Sequence, residues 1–244
     1  MSTEMKVSHR LEEPSIRSSD QARFERWIPP LLSAVAGTVD VIGFLSLKLF
    51  TAHVTGNLVV IAALLVRGGP PNVNQILAVP VFILAVACVW LISKALDKRG
   101  AALARPLLLV QLLLLTCVLI FSVAYDSAAH PHGLMPSIAA MIAVSAMACQ
   151  FSLLRLAVPS APSTAVMTGN LTTTVLSLLD ALSQTPVVED ARDQVKKTLQ
   201  LIVPFFCGCL VGAGACSWLG DWAWSLPVVL AGMALTLVPS GQND

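Results

Sequence analysis

Charge is what this sequence has least of. Only 12% of its 244 residues are Asp, Glu, Lys or Arg, about half the share in a soluble domain. So few charges could not keep a globular surface wet, which argues against a soluble enzyme or binding module. The net charge is +1, and no basic face is present for phosphate contacts, so a nucleic-acid partner is not expected. Metal-ligand spacing is missing too. Cys88, Cys117, Cys149, Cys207, Cys209 and Cys216 all fall in apolar runs, none forms a C-x-x-C pair, and no histidine sits at zinc-ligand distance. They read as small packing residues. There is no serine elbow, no H-E-x-x-H and no phosphate loop. His130 and His132 fall in one interhelical link, so the four histidines supply no catalytic pair at depth. No enzyme, cofactor or metal is expected. An early apolar stretch followed by a cleavage site is also lacking, so no signal peptide is read. Residues 1–26 are polar, carry Lys6, Arg10, Arg17, Arg23 and Arg26, and read as a disordered cytosolic arm.

Apolar sequence is what fills the rest. Hydrophobic residues make up 56% of the chain and the mean hydropathy is +0.78. Six runs are long enough for a hydrocarbon core of about 30 Å: Trp27–Leu47, Ile76–Ile92, Leu107–Tyr125, Met135–Leu154, Leu199–Leu219 and Trp222–Val238. Two more, Leu58–Val66 and the threonine-rich Leu171–Leu182, reach about half-way across. The fold class is an all-α integral membrane protein. Residues 27–239 form one transmembrane domain of about six full helices plus two short ones.

The short segments belong to an internal repeat. V-T-G-N-L occupies Val54–Leu58 and M-T-G-N-L occupies Met167–Leu171, an offset of about 113 residues, and the flanking hydropathy follows it. Repeat one covers 27–125 and repeat two 135–239. Lysine and arginine placement tests how they sit. The N-terminal arm is basic. So is Lys94–Arg105, with Lys94, Lys98, Arg99 and Arg105, and Ser183–Thr198 carries Arg192, Lys196 and Lys197. These belong on the cytosolic side. Asp126–Leu134 and the turn at Gly220–Asp221 carry no Lys or Arg and belong outside. If neither T-G-N segment crosses, all five placements agree, each half crosses three times, and the halves are inverted. Interrupted helices in inverted repeats are a transporter design. Eight crossings remain the alternative.

Ala36-Gly-Thr-Val-Asp-Val-Ile-Gly-Phe-Leu, then Phe50-Thr-Ala-His-Val-Thr-Gly-Asn-Leu, resembles the YoaK-like family of bacterial multi-pass membrane proteins, domain of unknown function 1275. In the second half Ala148-Cys-Gln, Arg155 and Thr164-Ala-Val-Met-Thr-Gly-Asn fit as well. The resemblance covers about residues 27–239. It implies a bacterial cytoplasmic (inner) membrane and about six helices, and it implies no substrate.

Function must therefore come from individual residues. Asp40 lies within the first long run. A carboxylate at bilayer depth costs about 2.5–3.5 kcal/mol on insertion scales, so it is protonated, paired or wet. It is a candidate for proton coupling with His53, although either could be structural. Thr55, Gly56 and Asn57, with Thr168, Gly169 and Asn170, stand at two short-helix starts, where Thr and Asn cap well. Unpaired N–H groups at such starts would face an anionic solute near the midplane, and Gln150 could line the same site. The plainer reading is two capped helices packed through small residues. Lys48 and Arg155 read as snorkelling side chains, and Trp218, Trp222 and Trp224 as an interfacial belt. Gly208 and Gly212 permit close packing within the chain or in a homodimer. The expected partners are the lipid bilayer and a small solute. The expected function is a secondary transporter, with a channel or a non-transporting scaffold or sensor as alternatives.

The topology is directly testable. In a cysteine-free background, Lys98→Cys in intact cells should be protected from an impermeant thiol reagent, and Ser127→Cys in the Asp126–Leu134 link should be labelled. External labelling at Lys98→Cys would favour eight crossings.

Overall fold

In hydrocarbon every backbone polar group must be paired within the protein, which leaves helices as the natural spanning element for apolar runs of this length. The computed structural model describes residues 19–69, 72–96, 101–130, 133–159, 161–182 and 188–238. Every regular element among them is helical. In order these are α1 (Ser19–Ile42), a π-helical turn (Gly43–Leu47), α2 (Val54–Arg67), α3 (Val73–Ala95), α4 (Ala101–Tyr125) and α5 (Leu134–Ala157). Then follow α6 (Met167–Leu182), α7 (Val188–Leu219), a 3₁₀ turn (Gly220–Trp224) and α8 (Ser225–Thr236).

Five stretches are long and apolar enough to cross a membrane: Arg23–Leu47, Val73–Ala95, Ala102–Tyr125, Leu134–Ala157 and Asp190–Thr236. This is a multi-pass helical membrane protein. The last stretch joins α7, the 3₁₀ turn and α8. The sixth run read from sequence, Trp222–Val238, is thus not a separate long helix. Its first residues tighten into the 3₁₀ turn, and α8 keeps 12 residues. The helices holding the T-G-N motifs are short, with 14 residues in α2 and 16 in α6.

Other expectations need correcting at their edges. Helix α1 begins at Ser19, so residues 19–26 are not part of a disordered arm. Phe24 explains the extension, since it is fully buried and anchors the helix before the apolar run begins. Residues 1–18, Lys98, Arg99 and His132 lie outside the described residues. Trp218 and Trp222 are exposed as a belt requires, but Trp224 is fully buried. Ser127 is buried, whereas Ala129 in the same link is exposed and is the better labelling position.

Two helices make the centre. The membrane windows of α1 and α5 are 67% and 61% buried, against 11% for α3 and 17% for the α7–α8 stretch. The central helices therefore carry the small and polar residues, and the outer ones turn leucine and valine to lipid. Helix α1 meets α7 where side chains are absent. A Cβ on Gly37 would collide with the Phe205 carbonyl, one on Gly208 with the Ala34 carbonyl, and one on Gly212 would come within 2.9 Å of Val41 Cγ1. The Gly208/Gly212 pair is thus used within the chain, against α1.

Helix α1 packs on α7 and α8, while α5 packs on α3 and α4. Helix α2 packs on α3, and α6 on α7. Helices α4 and α8 also meet, as do α1 and α5. Exchanging α1–α4 for α5–α8 maps this set of contacts onto itself.

Candidate functional site: two broken hairpins

A helix that stops inside a membrane leaves N–H and C=O groups without partners. Helix α1 ends so at the far end of its apolar stretch, Arg23–Leu47. It loosens into the π-helical turn, which Lys48 closes in the left-handed region at φ 60°. Lys48 also donates from Nζ to the Leu45 carbonyl at 2.9 Å. The chain then doubles back along α1, so that residues 51–53 lie beside Val39 and Asp40. Gly43 makes room for this return: a Cβ there would come within 2.8 Å of Thr51. Asp40 lies about 20 Å beyond Trp27 along the helix, well within the bilayer.

Asp40 holds the returning strand of backbone. Its Oδ1 accepts the N–H groups of Thr51 and Ala52 at 2.9 Å each, and of His53 at 3.3 Å. Its Oδ2 lies 2.7 Å from His53 Nδ1. The hydroxyl of Thr51 donates to the Val39 carbonyl at 3.1 Å. Asp40 is 6% exposed, while the His53 side chain is 31% exposed and meets the Phe205 ring edge-on at 5.3 Å. The pair has one buried member and one that is partly exposed.

Asn57 fixes the same loop from the other side. Its Oδ1 accepts from Phe50 N and its Nδ2 donates to Phe50 O, both at 2.8 Å. Gln75 of α3 donates to the Lys48 carbonyl at 3.0 Å. The T-G-N residues therefore sit in the first turn of α2 and do not cap it, since the N-cap is His53 and makes no side-chain cap bond. Gly56 packs against the Phe50 ring, whose carbons lie 3.2 Å from where its Cβ would be. Thr55 is exposed.

The second motif repeats part of this. Asn170 Nδ2 donates to the Ser163 carbonyl at 2.8 Å, seven residues upstream, as Asn57 does to Phe50. The likeness extends to a T-A pair, Thr51-Ala52 and Thr164-Ala165, and both threonines are buried. The carboxylate has no counterpart: at the repeat position of Asp40 stands Leu153, also buried. The Thr164 hydroxyl is left without a partner, unlike that of Thr51. Thr168 and Gly169 are exposed in the first turn of α6.

Asp40, His53 and Asn57 come together, then, while Asn170 and its neighbours form a separate cluster. The two loops do not meet near the midplane as expected from the sequence. Residues Val158, Ala161 and Pro162 of the second loop line a groove with Pro29 and Arg26, at the opposite end of α1 from Asp40. Pro29 and Asp40 are about 16 Å apart along that helix. The groove has a volume of about 460 Å³ and also presents Lys197 and Gln200. Gln150 belongs to neither loop. It accepts from Gln111 Nε2 at 2.6 Å and donates to the Leu32 carbonyl at 2.8 Å, tying α4, α5 and α1 together. Among the described residues no three His, Cys, Asp or Glu side chains gather as metal ligands would.

A family model described as "Protein of unknown function (DUF1275)" matches residues 29–238. The chain belongs to that family. The match takes in both broken hairpins, with Asp40, His53, Asn57, Gln150 and Asn170 inside it. No curated protein and no solved structure matches the chain.

Sequence reasoning passed over Gln111, Gln75, Phe50 and Ser163. Gln111 had a signal: it is the only polar residue in the run Leu107–Leu115. Phe50 and Ser163 act through backbone carbonyls, which no side-chain motif records.

The asymmetry between the motifs sets a stability order. Asn57→Leu strips a partner from both polar groups of Phe50, at about 1–3 kcal/mol each, and Asn170→Leu strips one carbonyl. Thermal unfolding of the purified variants should show Asn57→Leu falling further. Equal losses would mean that the Phe50 contacts carry no extra weight.

Proposed function

We propose that this protein is a secondary transporter of a small anionic solute, driven by protons at Asp40 and His53. The observation that carries the reading is the 2.7 Å carboxylate–imidazole pair, its carboxylate within the apolar stretch Arg23–Leu47 and next to the helix break that ends it. When both groups are charged the pair is neutral overall. Loss of one proton from the imidazolium leaves a net negative charge at depth, and burying that charge is costly unless water or a cation compensates. A pair with one sealed and one partly exposed member is placed to couple proton loading to movement of the hairpin it holds together.

Two further facts support transport. Helix contacts that map onto themselves when the halves are exchanged suit inverted repeats, each with a broken helix, which rock about a central pair. In this reading α2 and α6 do not cross, six helices do, and the arm lies in the cytosol of a bacterium whose inner membrane holds the protein. The groove with Arg26, Lys197 and Glu25 is then the cytosolic entrance, and two cations against one acid favour an anionic solute. No covalent chemistry is part of this reading.

A second reading, a non-transporting scaffold, is favoured by one observation. Asp40, Asn57 and Asn170 are all engaged with backbone of their own loops, which is also what a static fold would need.

Transport assays separate the two. Proteoliposomes carrying the parent should accumulate a small carboxylate from a screening panel when a pH gradient is imposed. Asp40→Asn, which keeps size and an acceptor but cannot titrate, should still exchange the solute across the membrane and should lose accumulation. If no panel member moves with the parent, or if Asp40→Asn accumulates solute as the parent does, proton-coupled transport at this pair is wrong.

A further inference from the structure

At the cytosolic end of α1, a different surface has the shape and charge of a lipid site. Two grooves run side by side there. The first, about 460 Å³, lies between α1, α7 and α8 and is lined by Arg23, Trp27, Leu31, Ala34, Met233 and Leu237. The second, about 360 Å³, lies between α1 and α7 and includes Arg26, Leu199 and Val203. Trp27, Pro30 and Pro204 line both. Apart from the arginines at their ends and Gln200 in the second, the linings are apolar.

Prolines mark this end of both helices: Pro29 and Pro30 lie in α1 and Pro204 in α7, and a proline inside a helix removes one N–H and crowds the preceding turn. The two helices still touch at Ser33, whose hydroxyl donates to the Leu201 carbonyl at 2.7 Å. Trp27 stands between the grooves, 52% exposed, with the Arg26 guanidinium 5.4 Å from its ring.

Depth decides what would fill the grooves. From Arg23 to Ala34 the first groove descends about 16 Å along α1, close to half of a hydrocarbon core of about 30 Å. That is the depth of one leaflet. A small soluble solute has no use for an apolar slot of that length, whereas an acyl chain does. Two slots sharing one wall suit two chains of one lipid. The charge at the top decides the headgroup. Arg23 and Arg26 are both exposed there, while the acid between them, Glu25, lines the separate polar groove and accepts a hydrogen bond from Gln21 at 3.2 Å.

We infer that this face binds one two-chain anionic phospholipid, its phosphate between Arg23 and Arg26 and its chains on either side of Trp27. The site shares Arg26 with the polar groove, but lipid binding there does not require that the protein transports a solute.

Spin-labelled phosphatidylglycerol and phosphatidylcholine, compared in nanodiscs holding the full-length protein, test this by the fraction of each that is motionally restricted. The parent should hold phosphatidylglycerol in preference. The preference should drop about fivefold for each arginine replaced by glutamine, so that R23Q/R26Q no longer distinguishes the two lipids. Met233 is exposed, so Met233→Trp should fold and, by filling the first groove, should reduce retention of both lipids. Soluble glycerol phosphate should not displace the lipid, because it lacks the chains. An equal hold on both lipids in the parent would overturn the inference. So would a preference that survives R23Q/R26Q, unchanged retention in Met233→Trp, or displacement by glycerol phosphate.

Discussion

A polypeptide inside hydrocarbon has no water to complete its hydrogen bonds, and each group left unpaired costs several kcal/mol. An unbroken helix meets that demand by itself. This chain folds the loop after α1 back along the helix, so the demand there falls on side chains. Asp40 meets most of it. One carboxylate oxygen takes three consecutive N–H groups and the other takes the imidazole of the last of those residues. Asn57 closes the remaining length of loop by pairing both polar groups of Phe50. The left-handed Lys48 and the small Gly43 let the chain turn back far enough to reach these partners. The position of α2 follows from them.

The close α1–α7 crossing depends on the same region. Gly37 lies one turn before Asp40 and admits the Phe205 backbone, which brings the Phe205 ring beside His53. A second polar connection, from Gln111 through Gln150 to the Leu32 carbonyl, joins the two central helices to α4 further along α1. The halves share this plan but not its chemistry. Leu153 occupies the place of Asp40, and the second loop is held by Asn170 without a carboxylate. Charge at the first break is carried by Asp40; beside the second, Glu25, Arg26 and Lys197 line the groove.

The sequence made the broad plan readable because hydrophobic length is a strong signal. Among the described residues each apolar run became a helix, and the T-G-N helices are short as read, but the last run, read as long, kept only the 12 residues of α8. Boundaries were harder. The polar start of α1 is helical because Phe24 finds the core, and the tight turn at Gly220–Trp224 takes residues from the last run. Asp40 and His53 were each legible as titratable groups, but not as partners of one another. Their bonding was not legible, since a carboxylate that collects backbone N–H groups leaves no spacing rule in the sequence. For the same reason Thr55, Asn57, Thr168 and Asn170 read as helix caps, when the asparagines in fact hold backbone carbonyls seven residues upstream.

The central claim is that Asp40 holds the first hairpin closed. Amide hydrogen exchange at Thr51, Ala52 and His53 measures it most directly, because those are the N–H groups the carboxylate accepts. In the parent protein, reconstituted in lipid, these three amides should exchange slowly, as bonded groups do. In Asp40→Leu they should exchange much faster, while amides in the middle of α5 keep their protection. If the three amides are equally protected with and without the carboxylate, the hairpin is held by something else and the account of this site is wrong.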